Sequence, residues 1–258
     1  MDELLAKLTN LSYDFFGILL PGIIFNIFLL LIWIALDSLV PVWTNNSISK
    51  FTIQTLPHLV DTLSLEGRVF IVIPLIFLWY FFGHLLNWVG RSGSPIAGKI
   101  SDRCRVYQSL KFHIPKPESS FDPKLEPLFK VIQKEFSPKG IMLAWSSLFP
   151  VFRIYLAQNL SHSLVTTYQN KYTLHRSITT ASTLLFWFSL LGILGGIVTM
   201  YFYCIQPHWP FLIALPIGSL ILVWGFSGSY LYNWTLFGNS IVTETYSLLH
   251  ASKKCSIL

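Results

Sequence analysis

The sequence predicts an all-α membrane protein of four transmembrane helices, with a small helical cytosolic domain between the second and third and helical extensions of the third and fourth. Three observations predict it. First, four apolar runs, Phe15 to Leu36, Val69 to Gly90, Ala181 to Tyr203 and Phe211 to Asn233, each have the roughly 20 residues a helix needs to cross a bilayer. Second, the chain is 53% hydrophobic and only 12% charged, with a mean hydropathy of +0.56, which excludes a large soluble core. Third, the cations are confined: thirteen of the 18 Lys and Arg lie between the second and third runs (Arg91, Lys99, Arg103, Arg105, Lys111, Lys116, Lys124, Lys130, Lys134, Lys139, Arg153, Lys171 and Arg176).

Each element follows in order. Residues 1–14 form a short N-terminal tail whose three acids and single Lys7 do not make a cleavable leader, and the run after it is too long for a signal-peptide core, so 15–36 is expected to be a retained first crossing. Residues 37–68 make an outer loop with only Lys50 and Arg68, and 69–90 the second crossing. The basic segment 91–180 is the cytosolic domain. Residues 181–203 and 211–233 are the third and fourth crossings, joined by an outer turn at 204–210 without Lys or Arg, and 234–258 is a cytosolic C-terminal helix and tail carrying Lys253 and Lys254. Because Lys and Arg are retained on the cytoplasmic side, both termini and the 91–180 segment are placed in the cytosol.

Inside the cytosolic domain, Ile96, Ile100, Tyr107 and Leu110 recur at helical spacing with Lys99, Arg103, Arg105 and Lys111 among and beside them. That pattern suits a helix on the inner headgroups, contacting lipid or a partner, and equally a packed cytosolic helix. Four prolines between His113 and Pro127 predict an extended linker, and Leu128 to Phe136 a short amphipathic helix starting near Asp122 or Glu126. Phe149 to Thr180, free of glycine, is expected to run straight into the third crossing.

The net charge of +6 is what topology and anionic headgroups require, so direct nucleic-acid binding is not expected. Cys104 and Cys255 are cytosolic and Cys204 lies at the outer face, so no disulfide and no zinc spacing is expected. The ending Cys255-Ser256-Ile257-Leu258 fits a prenylation box, although one lipid chain adds little to four crossings. No metalloprotease, nucleophile-elbow or phosphate-loop motif is present, so no catalytic residue, cofactor or metal is assigned, and His113, His162 and His175 are expected to be solvated or capping.

The functional candidates are polar groups at membrane depth. Asn26 lies mid-way along the first crossing, His84 and Asn87 are three apart in the second, and Asp14 and Arg91 mark the cytosolic ends of the same two helices. They can form a gate or selective ring repeated around an oligomer, or act as polar glue between helices with a snorkelling Arg91. Gly192 with Gly196 and Ala214 with Gly218 form small-xxx-small pairs that let backbones approach within the hairpin or between copies. Pro21-Gly22 and Pro74 are expected to loosen or kink their helices.

Tyr13-Asp14-Phe15-Phe16-Gly17 followed by Leu20-Pro21-Gly22, and the stretch Tyr172 to Leu185 with Arg176, resemble small four-crossing bacterial inner-membrane proteins of anti-phage defence loci, of the Hailong or Kiwa type. The resemblance implies a membrane subunit of an immunity system, acting as a channel-like effector or as a sensor. On this reading the chain is a homo-oligomer, with a tetramer favoured, that receives a cytosolic protein or nucleotide-type signal from a neighbouring gene and depolarises the membrane. The alternative is a non-conducting sensor or scaffold that holds a soluble partner at the bilayer.

Overall fold

In the computed structural model the protein is an all-α, multi-pass membrane-helix bundle, described over residues 14–37, 65–90, 121–138, 141–160, 163–203, 207 and 209–255. A π-helical segment Asp14–Leu19 leads into α1 (Leu20–Asp37), followed by α2 (Leu65–Val89), a 3-10 turn Pro123–Leu125, α3 (Glu126–Phe136), α4 (Trp145–Asn159), α5 (Leu164–Tyr203) and α6 (Trp209–Cys255). Three of these, α2, α5 and α6, are long and apolar enough to cross a membrane; the apolar stretch preceding and within α1, Gly17–Ile32, is shorter.

The described residues fall into two compact units, and α5 and α6 each contribute to both. In the first, built from 15–112 and 176–226, an apolar cluster of Phe25, Ile32, Leu86, Ala181, Leu185, Leu212 and Leu215 joins α1, α2, α5 and α6. α1 and α2 meet at two glycines. A Cβ on Gly22 would lie 1.9 Å from the Trp79 carbonyl oxygen, and one on Gly83 would lie 1.9 Å from that of Ile18. Only hydrogen fits, so the backbones touch, in the geometry that allows Cα–H to carbonyl contacts. Pro21, expected to loosen this helix, follows directly on the π segment. Proline has no N–H to offer four residues back, and the Gly17 carbonyl it leaves lies 3.5 Å from Ser177 Oγ of α5.

The second unit, in its described residues between 121 and 175 and from 227 to 255, folds around an aromatic core. Phe121, Phe129, Trp145 and Phe152 pack on one another, and Phe149 and Tyr172 meet Phe237 of α6 at 5.7 and 5.0 Å between ring centroids. The short helix starts where expected, near Asp122 and Glu126: Pro123 opens the 3-10 turn and Pro127 is the second residue of α3, where a missing N–H costs nothing, and Asp122 caps the turn by accepting from the Lys124 N–H at 2.9 Å. Two expectations are corrected here. The chain does not run unbroken from Phe149 to Thr180. α4 ends at Asn159, Leu160 is extended, and α5 starts afresh at Leu164, because Glu244 of α6 accepts from Leu164 N–H at 2.8 Å and from Ser163 Oγ at 2.5 Å, an acid cap on the new helix. His175 is half-buried with its Nδ1 covered, rather than solvated.

Candidate functional site: polar groups at the end of the second span

Among the described residues the polar side chains of the spans lie in separate surroundings. Asn26 satisfies itself along its own helix, Nδ2 donating to the Gly22 carbonyl at 2.8 Å. His84 and Asn87, three positions apart, turn to different surroundings: His84 is exposed, with its ring edge-on to Tyr80 at 4.5 Å, while Asn87 is half-buried and accepts a hydrogen bond through Oδ1 from Nη2 of Arg176 on α5. Asp14 opens the π segment, and its side chain lies outside the described residues, as do Arg91, Lys99, Arg103, Arg105 and Lys111.

Around the Asn87–Arg176 pair the last turn of α2 is seated on α5. A Cβ on Gly90 would come 2.7 Å from Thr180 Oγ1, so the glycine lets the chain approach the hydroxyl, and Thr180 Oγ1 itself donates to the Arg176 carbonyl at 2.9 Å. From Ser177 to Thr183 every residue of α5 is buried, although five of the seven carry hydroxyls. Thr183 and Ser189 bond the carbonyl one turn back at 2.8 and 2.7 Å, the local solution that keeps a hydroxyl satisfied within a helix. Ser182 and, on α6, Ser219 are buried with hydroxyls that have no hydrogen-bond partner among the described residues.

The small residues divide between two environments. Gly192 and Gly196 are buried, and a Cβ on Gly196 would meet Pro207 and Leu212 at 3.3 Å, so this pair serves the α5–α6 hairpin. Ala214 is exposed, and a Cβ on Gly218 would meet nothing within 4 Å; the same is true of Gly195 on α5 and Gly225 on α6. The second span is the most outward of the three: 11% of Val72–Val89 is buried, against 28% and 33% for α5 and α6, and Phe77 and Phe81 are 70% and 61% exposed.

Arg176 enters the sequence reading as a topological cation and within the resembling stretch Tyr172 to Leu185, but not as a partner of Asn87, and the Gly22–Gly83 crossing and the hydroxyl belt do not enter it. The belt was visible in principle as Ser-Ile-Thr-Thr-Ala-Ser-Thr at the mouth of a span, and Gly83 as the small residue in an aromatic run. Among the described residues no three His, Cys, Asp or Glu side chains gather as a metal site. Compared with known proteins, the chain finds no match: no family model, no curated protein and no solved structure matches it.

Proposed function

We propose that this protein is an oligomeric inner-membrane effector that forms a gated ion path, with four crossings, both termini in the cytosol, and a helical unit that receives the opening signal from a cytosolic protein or a nucleotide-type messenger. The observation that carries this reading is His84, an imidazole that its own chain leaves exposed within an apolar span. An ionisable side chain facing acyl chains is costly, whereas one facing an aqueous path or another copy is not. Open space above Gly195 and Gly218 supports the same reading, since it permits close approach of another helix. The partnerless hydroxyls of Ser182 and Ser219 are further polar groups for which a conduit has a use.

The first crossing belongs to the proposal. The 18 residues of α1 extend about 27 Å, and with the 6-residue π segment they match a hydrocarbon core about 30 Å thick. Orientation rests on the cation distribution, and the setting in an anti-phage defence locus rests on the resemblance at Tyr13 to Gly17 and Leu20 to Gly22.

A second reading, a non-conducting scaffold, has its own support. Asn26, Thr183 and Ser189 are satisfied by their own helices and Asn87 by Arg176, as expected of polar glue. The two readings separate in vesicles. Purified protein reconstituted with a potassium gradient should pass ions when the trigger is present, and His84→Leu should change the flux per copy or its pH response. A gradient held under every trigger, with the soluble partner still bound, would leave the scaffold.

A further inference from the structure

The step between α3 and α4 holds two large apolar side chains that the protein's own core does not use. Ile141 is 59% exposed and Met142 73%, whereas Leu143 packs against the aromatic core and Trp145 belongs to it. This exposure is built into the backbone. Ile141 N–H donates to the Pro138 carbonyl at 3.0 Å, Leu143 N–H to Ser137 Oγ at 3.2 Å, and Gln133 Nε2 to the Leu143 carbonyl at 2.8 Å. With Leu143 tied at both its N–H and its carbonyl, the two residues before it are held outside. Two apolar side chains fixed in water recover none of the burial free energy that such groups gain elsewhere.

Position along α6 indicates what receives them. Phe149, early in α4, meets Phe237, which lies about one helical turn past Asn233 where the apolar run ends. The far end of α4 leads to Ser163 and Leu164, held by Glu244 about two turns further from that run. α4 therefore begins at the membrane end of its unit and finishes away from it, and Ile141 and Met142 stand just before its first residue. The charges of the 122–139 stretch nearly cancel: Lys124, Lys130, Lys134 and Lys139 stand against Asp122, Glu126 and Glu135, with Lys130 reaching Glu126 at 3.9 Å. A single net positive charge gives anionic headgroups little to attract, so apolar insertion is what this surface offers.

We propose that Ile141 and Met142 form an interfacial anchor that inserts into the headgroup–acyl boundary of the same bilayer that α6 crosses. The contact is continuous with the point where α6 leaves its apolar run, and it requires neither anionic lipid nor low salt.

The test uses the full chain with Cys104, Cys204 and Cys255 changed to Ser, and Met142→Cys or, as a control higher on α4, Ile154→Cys. Each is labelled with a polarity-sensitive dye in phosphatidylcholine vesicles with and without brominated acyl chains. The expected result is a blue-shifted Met142→Cys signal that bromolipid quenches and that high salt leaves unchanged, beside a water-like, unquenched Ile154→Cys signal. Water-like emission at Met142→Cys overturns the proposal. So does a blue-shifted signal that bromolipid does not quench, since it would assign the segment to a protein contact, and so does equal quenching at both positions.

Discussion

At Gly22 and Gly83 the missing Cβ decides how two helices pack. Each would place a methyl group 1.9 Å from a carbonyl oxygen of the facing helix, and neither neighbour is a flexible side chain that could swing aside. Gly83→Ala should therefore lower stability by about 1 to 3 kcal/mol through overpacking, while Gly225→Ala, with open space around it, should be neutral or gain from the better helix former. Thermal unfolding in detergent micelles checks the pair, and equal midpoints for the two variants would contradict the crossing. Little of this was legible beforehand. Gly22 and Gly83 are far apart in sequence, and a glycine in an apolar run looks the same whether it touches a backbone or faces lipid. His84 teaches the same lesson: α2 is apolar all round, so no periodic pattern tells which way its imidazole faces, and only the placement of α1 and α5 leaves it outside.

At the scale of elements, the long apolar helices were readable because length and composition are local properties. The break between α4 and α5 was only half visible: Ser163 is a local N-cap whose Oγ accepts from the Val165 N–H at 3.1 Å, but the acid that holds Ser163 Oγ and Leu164 N–H, Glu244, lies some 80 residues away. The cap predicts its own test. Glu244→Ala removes acceptors for both Ser163 and Leu164 and should cost about 0.5 to 2 kcal/mol at that helix start, read as faster amide exchange over the first turn of α5. Glu244→Gln keeps an acceptor oxygen and should lose less. Unchanged exchange in both variants would mean that the break is held by something else. The start of α3 near Asp122 and Glu126 was legible by contrast, since Pro123 and Pro127 suit the first turn of a helix and Asp122 is a cap residue; the structure adds the hydrogen bond that Asp122 accepts from the Lys124 N–H.

For the whole molecule, charge placement is the quantity with most to say, and it is a sequence property. With thirteen of 18 cations between the second and third runs, a cysteine replacing Lys50 should react with an impermeant reagent only from outside, and one replacing Lys116 only from inside. Reaction of both from one side would overturn the threading. Assembly is harder to read, because the residues that would join copies are those a single chain leaves exposed or uncrowded: His84 and the aromatic face of α2, Ala214 and Gly218 on α6, and Gly195 on α5. The central claim, that copies of this protein meet around His84, is tested most directly by oxidative cross-linking of His84→Cys in native membranes, with Cys104, Cys204 and Cys255 changed to Ser. The account predicts a disulfide-linked dimer band that is lost on reduction and absent when the cysteine is moved to the buried position of Leu86. A chain that remains wholly monomeric under oxidation, with the His84→Cys thiol still open to a lipid-soluble reagent, would contradict it.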